Sequence, residues 1–510
     1  MTTLVPRKPY TDEELQKLYP DGLELQLVQV LMRHGERTPV TVRFQNTGLP
    51  AFWPYCSTVR QMKSAILSAS DQPIDTLEWK RRLETFGEND EPIVARGPSG
   101  QRDDICEMGA LTDIGRQSTY NLGHRLRQLY VDRLKFIPPT ITSTDSFYLR
   151  STPVPRAMES LHQAFSGLYP PSARQPGPDG KFPSPIILTR AHADETLYPN
   201  DGNCRRFAAL SRAFAQRAAD RWNNTPDMEY LNSLYGKWMG PDMKVAVDSR
   251  PRLSGIMDTI NATLAHGPAT KLPKEFYDAK GKGIIEKIAV EEWYAGYKES
   301  KEFRTLGIGG LMGDLVMRMV GSVEGSGKDG SRLVKEKDQE SKRIRFALHG
   351  CHDTTLAGVL ASLGAFETNK WPPFTSHIAL ELFRDTNKAP EPAGKVTQTA
   401  VKTSWWSSLF SSSSSASNGE IGRRRTEDLG PSEQKKMDGY YVRLRYNDEP
   451  VTVPGCRKPG KHLEGDESFC TLAAFKEIVD KFTPQNWKEE CRLSRGELVQ
   501  VPATPELAGE

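Results

Sequence analysis

Nine histidines lie scattered through 510 residues without one His-x-His or His-Glu-x-x-His, and seven cysteines without one Cys-x-x-Cys. The usual zinc-holding spacings are therefore missing, and neither a metal nor any other cofactor is expected. Long apolar runs are missing too. None approaches the ~18 residues that a membrane-spanning helix needs, so no transmembrane segment is expected. Nor is there an excess of one charge: 68 Lys and Arg stand against 65 Asp and Glu, a net charge of +3, which leaves no general attraction for nucleic acid. The opening stretch carries Arg7, Lys8, Asp12, Glu13, Glu14 and Lys17 and no apolar core. A secretory signal is thus not expected, and the acidic residues argue against a mitochondrial presequence. The expectation is an intracellular compartment, cytoplasmic or mitochondrial. Gly325-Ser326-Gly327-Lys328 looks like part of a phosphate loop, but it lacks the following Ser or Thr and the earlier glycine, and reads as linker. Nothing in the sequence sets an oligomeric state.

What is present concentrates in Arg33-His34-Gly35-Glu36-Arg37-Thr38-Pro39. The motif follows Leu23–Leu31, which alternates and then turns mostly apolar, as a buried strand does. Gly35 permits a tight bend with close backbone approach, and Pro39 cannot continue a ladder. Two guanidiniums converging on an imidazole at the carboxyl end of a strand make a site for a tetrahedral dianion with a nucleophile at its centre. A second strand-to-helix turn lies about three hundred residues later. Arg343–Leu348 reads as a strand, and Leu356, Val359, Leu360 and Leu363 mark one helix face, with Gly364 as its stop. Asp353 is expected to cap that helix. If both strands are central and parallel, His34 and Asp353 meet at one sheet edge.

Further patches are Leu111-Thr112-Asp113-Ile114-Gly115, Arg150-Ser151-Thr152-Pro153-Val154-Pro155-Arg156, Leu197-Tyr198-Pro199-Asn200, His352-Asp353-Thr354-Thr355 and Trp371-Pro372-Pro373-Phe374. Together with Arg33–Pro39 they resemble the histidine acid phosphatases, the branch of the histidine phosphatase superfamily that holds prostatic-type acid phosphatases and phytases. Within it the chain is most similar to the lysophosphatidic acid phosphatase type. The resemblance implies an α/β fold, a phosphoglycerate-mutase-like sandwich with a central, mostly parallel sheet and a smaller helical cap domain. It implies His34 as nucleophile, Asp353 as acid and then base, and Arg33, Arg37, Arg156 and His352 as phosphate ligands, with no cofactor. His352 is preferred to His349 because the family places an Asp directly after its second histidine; His349 is expected near the pocket. Arg156 is expected on a helix from about Pro153 to Leu168 with Thr152 as N-cap. Pro153 and Pro155 depart from the family's acidic residues there, and Arg150 is expected to support the loop. By the same resemblance Cys204 pairs with Cys491 and Cys456 with Cys470, with Cys56, Cys106 and Cys351 outside that framework. An intracellular chain would instead keep all seven as free thiols, and both readings stay open.

The implied partner is a small-molecule phosphate monoester, with a lysophospholipid among the candidates. Its two negative charges repel a nucleophile until the arginines neutralise them. Attack by His34 divides one hard displacement into two easier ones, and Asp353 supplies the leaving oxygen's proton. The alternatives are a phytase or inositol-phosphate phosphatase, a phosphoglycerate-mutase-like phosphotransferase, and a non-catalytic phosphate-binding protein.

The expected organisation is discontinuous. Residues 20–192 form the first part of an α/β core with an insertion at 51–108, 195–335 a helical cap, and 340–500 the second part of the core. Stripes at Phe207, Leu210, Phe214 and Trp222, at Leu253, Ile256, Ile260 and Leu264, and at Leu311, Leu315 and Met319 mark amphipathic helices and read as core packing; the resemblance implies that such helices form a cap beside the pocket. Residues 386–437, with Pro390, Pro392 and a serine run at 411–415, read as a disordered low-complexity insertion. In it, Trp405, Trp406, Leu409 and Phe410 are an apolar cluster, and Thr426 follows three arginines.

Overall fold

Leu23–Arg33 is a strand buried from Leu25 onward, and it holds the centre of the sheet. The computed structural model describes residues 8–67, 74–334, 342–367, 370–389, 421–494 and 496–510. The main sheet has nine strands, numbered in chain order: β1 Leu23–Arg33, β2 Phe147–Ser151, β3 Ile187–Leu188, β4 Phe346–Cys351, β5 His377–Asp385, β6 Tyr440–Tyr446, β7 Glu449–Val451, β8 His462–Leu463 and β9 Asp466–Thr471. Their order is β8-β9-β6-β5-β1-β4-β2-β3, with β7 against β6. The pairs β1/β4, β4/β2 and β2/β3 are parallel, and the rest antiparallel. Followed through those pairings, β1, β2, β3, β4, β6 and β8 all run one way, so the sheet is mostly parallel in direction.

Eight helices are numbered in chain order: α1 Asp113–Leu126, α2 Pro155–Leu168, α3 Arg205–Trp222, α4 Leu253–Ala265, α5 Ala279–Glu299, α6 Gly310–Glu324, α7 Asp353–Ser362 and α8 Leu472–Asp480. Side chains alternate across a strand, so β1 feeds two cores. Val28, Val30 and Met32 pack with Leu122 of α1 and Leu161 of α2. Leu27 and Leu31 pack with Leu315 of α6, Leu356 of α7 and Phe475 of α8. A third core joins Trp222, Leu253, Ile256, Ile260 and Ile285 to Phe44 and Trp53.

The helical stretch 195–335 is therefore not all cap. Leu311, Leu315 and Met319 share a core with the sheet, and Gln29 of β1 donates to the Leu315 carbonyl at 3.0 Å. An amphipathic period fixes that a face is buried, but not against what. Leu264 also departs from its stripe, at 47% exposure. Among the described residues one helical stretch, Lys301–Glu324, is long and apolar enough to cross a membrane, against expectation, and it lies mostly buried inside the protein.

The described residues of the Ser-rich segment, 386–389 and 421–437, are ordered, and Ala389 is buried. Residues 421–437 form short helical turns, Ile421, Leu429 and Met437 are buried, and the Thr426 hydroxyl donates to Asp480 at 2.7 Å. The short apolar residues between the polar ones supply that anchorage, which composition alone hides. Pro390, Pro392, Trp405, Trp406, Leu409, Phe410 and the serine run lie outside the described residues.

Cysteines depart from the free-thiol expectation. Cys204–Cys491 and Cys456–Cys470 are disulfides. So is Cys56–Cys106, which closes the 51–108 insertion at its two ends. Only buried Cys351 is free. Denatured, unreduced protein is accordingly expected to show one thiol per chain on titration; three or more would contradict this pairing.

Candidate active site

The parallel register of β1 and β4 assembles the site. Arg33 pairs with Cys351 at the strand ends, and the His34 backbone N–H donates to the Cys351 carbonyl at 3.1 Å. The residues that follow, His34 on one side and His352-Asp353 on the other, are thereby neighbours, their imidazole centroids 5.5 Å apart. Beyond His34 the chain is pressed against α1: a Cβ on Gly35 would lie 2.2 Å from the Gly115 carbonyl oxygen. Close approach, and not an unusual φ, is what Gly35 supplies.

His34 is 2% exposed. Its Nδ1 lies 2.9 Å from the Gly35 carbonyl. A carbonyl only accepts, so Nδ1 carries the proton and Nε2 keeps its lone pair. Burial, then the charges of Arg156, Arg33 and Arg37, push the imidazole well below its ordinary pKa. The ring is neutral, with its free electron pair on Nε2.

The arginines differ in how they are held. Arg33 Nη2 lies 2.7 Å from Asp353 Oδ2, its Nη1 donates to the Pro372 carbonyl, and its guanidinium sits 4.2 Å over the Phe374 ring. Arg37 Nη1 lies 2.8 Å from Asp258 Oδ1. Arg156, second residue of α2, has no ion pair among the described residues, and its Nε is buried without an acceptor. Burial and the neighbouring Arg37 lower its pKa to about 10. Helix α2 starts at Pro155, two residues later than expected, with Val154 extended as N-cap; a residue before proline is kept out of the helical region.

Asp353 is the first residue of α7, and the N-cap is His352, not Asp353. Burial raises the Asp353 carboxyl, but Arg33 and the Trp371 indole N–H, which donates at 3.0 Å, outweigh it and hold the group below the usual carboxylate range. His352 Nε2 lies 3.1 Å from Thr152 Oγ1, and burial with Arg156 keeps its ring neutral.

Two candidates sit elsewhere. His349, expected near the pocket, is fully buried in β4 beside Val30 and Arg318, because strand alternation turns it into the α6 side. Arg150 ion-pairs with Glu195 at 2.6 Å, and Glu195 in turn accepts the N–H groups of Thr196 and Leu197. It supports the loop that carries Tyr198.

His34, Arg37, Arg156, His352 and Asp353 line one cavity of about 520 Å³, whose far wall includes Phe207, Ala208, Ala215 and Phe303. A second, of about 310 Å³, shares Arg37, Arg252, Trp293 and Asp353 with it and adds Arg33, Arg43 and Asp258. Sequence reasoning missed Asp258. It lies inside α4 with no local motif, and only the fold brings it to Arg37. Trp371 was visible within a quoted patch, though nothing there marked its bond to Asp353.

The family model described as histidine phosphatase superfamily (branch 2) matches residues 24–447. A probable acid phosphatase of Schizosaccharomyces pombe is 37% identical over 93% of this chain and 95% of its own length. Lysophosphatidic acid phosphatase type 6 of Homo sapiens is 29% identical over 54% of this chain and 57% of its own. Among solved structures, the apo form of Hafnia alvei phytase covers 93% of this chain and 100% of that one, with a TM-score of 0.48 and 12% identity.

Proposed function

Because the chain belongs to branch 2 of the histidine phosphatase superfamily and is an acid phosphatase of the histidine class, we propose that it hydrolyses phosphate monoesters through a phosphohistidine at His34. One observation carries this reading. Among the described residues Arg156 makes no ion pair and its Nε is buried without an acceptor, in a cavity it shares with Arg37 and with a neutral imidazole whose Nε2 is free. Such a cluster is completed by a tetrahedral dianion.

In the first step the Nε2–P bond forms while the ester P–O bond breaks, with the phosphoryl oxygens on Arg33, Arg37, Arg156 and His352. The departing alkoxide takes a proton from Asp353. In the second step water attacks phosphorus, gives its proton to Asp353 and releases His34. In the free protein Asp353 is ionised against Arg33; a bound phosphate competes for that guanidinium and adds negative charge, and both effects favour the protonated carboxyl. Quench of turnover on a ³²P-labelled monoester into alkaline detergent, where an N–P bond survives, is expected to trap phosphorus on the protein that acid then releases, absent in His34→Ala. Turnover without such label would overturn the reading.

We further infer that the alcohol portion lies under the cap helices α3 to α5 and that a lysophosphatidate is the substrate. The likeness to lysophosphatidic acid phosphatase type 6 and the apolar far wall of the larger cavity support this. Arg43 in the second cavity and Arg252, which lines both, favour an inositol phosphate instead. Competition among lysophosphatidate, phytate, nucleotide monophosphates and sugar phosphates separates the two.

A further inference from the structure

Asp258 belongs to no motif and reaches the site from the cap helix α4. Its Oδ1 lies 2.8 Å from Arg37 Nη1. Its Oδ2 accepts the Val40 backbone N–H at 3.1 Å and lies 3.3 Å from Arg43 Nη1. Both oxygens are committed to the segment that begins with the Arg-His-Gly-x-Arg string. The side chains are mostly shielded, at 8% exposure for Arg37 and 14% for Asp258, so bulk water does not readily replace the contact.

A guanidinium has five N–H donors in a rigid planar fork. Arg37 Nη1 donates to the Thr38 carbonyl at 3.0 Å and lies 2.8 Å from Asp258 Oδ1 in an ion pair. That end of the fork is occupied. Nε, by contrast, is buried with no acceptor. The edge formed by Nε–H and Nη2–H, two parallel donors, is the one that matches two oxygens of a phosphoryl group. The Phe374 ring lies 5.7 Å from the Arg37 guanidinium carbon, near the outer limit of a cation–π contact.

We propose that Asp258 is a positioning residue for the phosphatase reaction: by holding Nη1 it turns the Nε/Nη2 edge of Arg37 toward the phosphoryl group on His34. The contacts of Asp258 are Arg37, Arg43 and Val40, and its effect on the phosphoryl group passes through Arg37. This rests on the reading that Arg37 holds a phosphoryl oxygen. The competing role is structural, since Asp258 also ties Val40 and Arg43 to the cap.

A double-mutant cycle on the full chain separates the two. Asp258→Ala is expected to lower kcat/KM for p-nitrophenyl phosphate about 10- to 100-fold, the scale of a misplaced binding group, and to weaken competitive inhibition by inorganic phosphate. In an Arg37→Ala background the same change is expected to cost less than about twofold, because residues acting through one another are not additive. An equal loss in both backgrounds would overturn the proposal in favour of the tie to Val40 and Arg43, and so would full activity of Asp258→Ala. If Asp258→Ala does not fold, Asp258→Asn, which keeps the shape and removes the charge, runs through the same cycle. His34→Ala tells this failure from that of the underlying reading: an active His34→Ala removes both, whereas an inactive one with an additive cycle removes only the role of Asp258.

Discussion

Replacing His34 with alanine is expected to lower kcat/KM for every phosphate monoester by about four orders of magnitude or more, the scale seen when a covalent nucleophile is removed. The expectation follows from the tautomer. Nδ1 is committed to the Gly35 carbonyl, so Nε2 is the one basic, unprotonated nitrogen of that ring, and burial keeps it so. The nearest other ring, His352, has its Nε2 against Thr152. Inorganic phosphate is nevertheless expected to bind the variant within about tenfold of the native affinity, since the arginines remain and each charged hydrogen bond is worth roughly 1.5–3 kcal/mol. Loss of both turnover and binding would mean that alanine had collapsed the site. A loss of turnover under about a hundredfold would remove His34 as nucleophile.

The second large effect is expected from Asp353→Asn: a loss of about 10²- to 10⁴-fold for alkyl monoesters, the usual scale of general acid catalysis. For p-nitrophenyl phosphate the loss in the first, phosphorylating step is expected to be far smaller, because p-nitrophenolate leaves without a proton. Rapid-mixing measurements of that step give the comparison, and equal losses would exclude Asp353 as the acid. The pH dependence has a definite sign. In the free protein Arg33 and Trp371 hold the Asp353 carboxyl below the usual range, so its protonated fraction falls as pH rises, and kcat/KM for alkyl esters is expected to fall with it. A steady increase from about pH 5 to about pH 8 would contradict the role.

Stability runs the other way. His34, His349 and His352 all have folded pKa values depressed by burial and nearby arginines. Unfolded, they take protons below about 6.5. Between the depressed folded values and about 6.5 the unfolded chain binds more protons, so stability falls as pH drops through that window. The depressed Asp353 adds a loss of the same sign at lower pH. Conditions that favour the acid therefore weaken the fold.

How much of this was legible in the sequence depends on whether a contact lies along the chain or across it. Arg33, His34 and Arg37 lie within one strand-to-loop segment, and alternation in Leu23–Leu31 already put them at a strand end. Asp353 was readable in the same way from the strand and helix around it. The three helical stripes were readable as buried faces, but that Leu311, Leu315 and Met319 of α6 pack toward the sheet was not, since a stripe shows a buried face without naming its partner. Asp258 was out of reach because one acidic residue inside an amphipathic helix looks like any solvated charge; its meaning arises only when α4 is laid against the loop after β1. Cys56 and Cys106 likewise lie 50 residues apart and meet only through the fold.

The β1/β4 ladder has a consequence for the making of the protein. Two halves of the proposed reaction centre follow strands separated by most of the polypeptide and joined side by side, a pairing that incurs a large loop-closure entropy before any contact rewards it. On the proposed assignment, a growing chain on the ribosome has no phosphatase site until the second strand emerges. Competence thus arrives late and all at once, and a truncated product carrying the whole Arg-His-Gly-x-Arg segment would be inert.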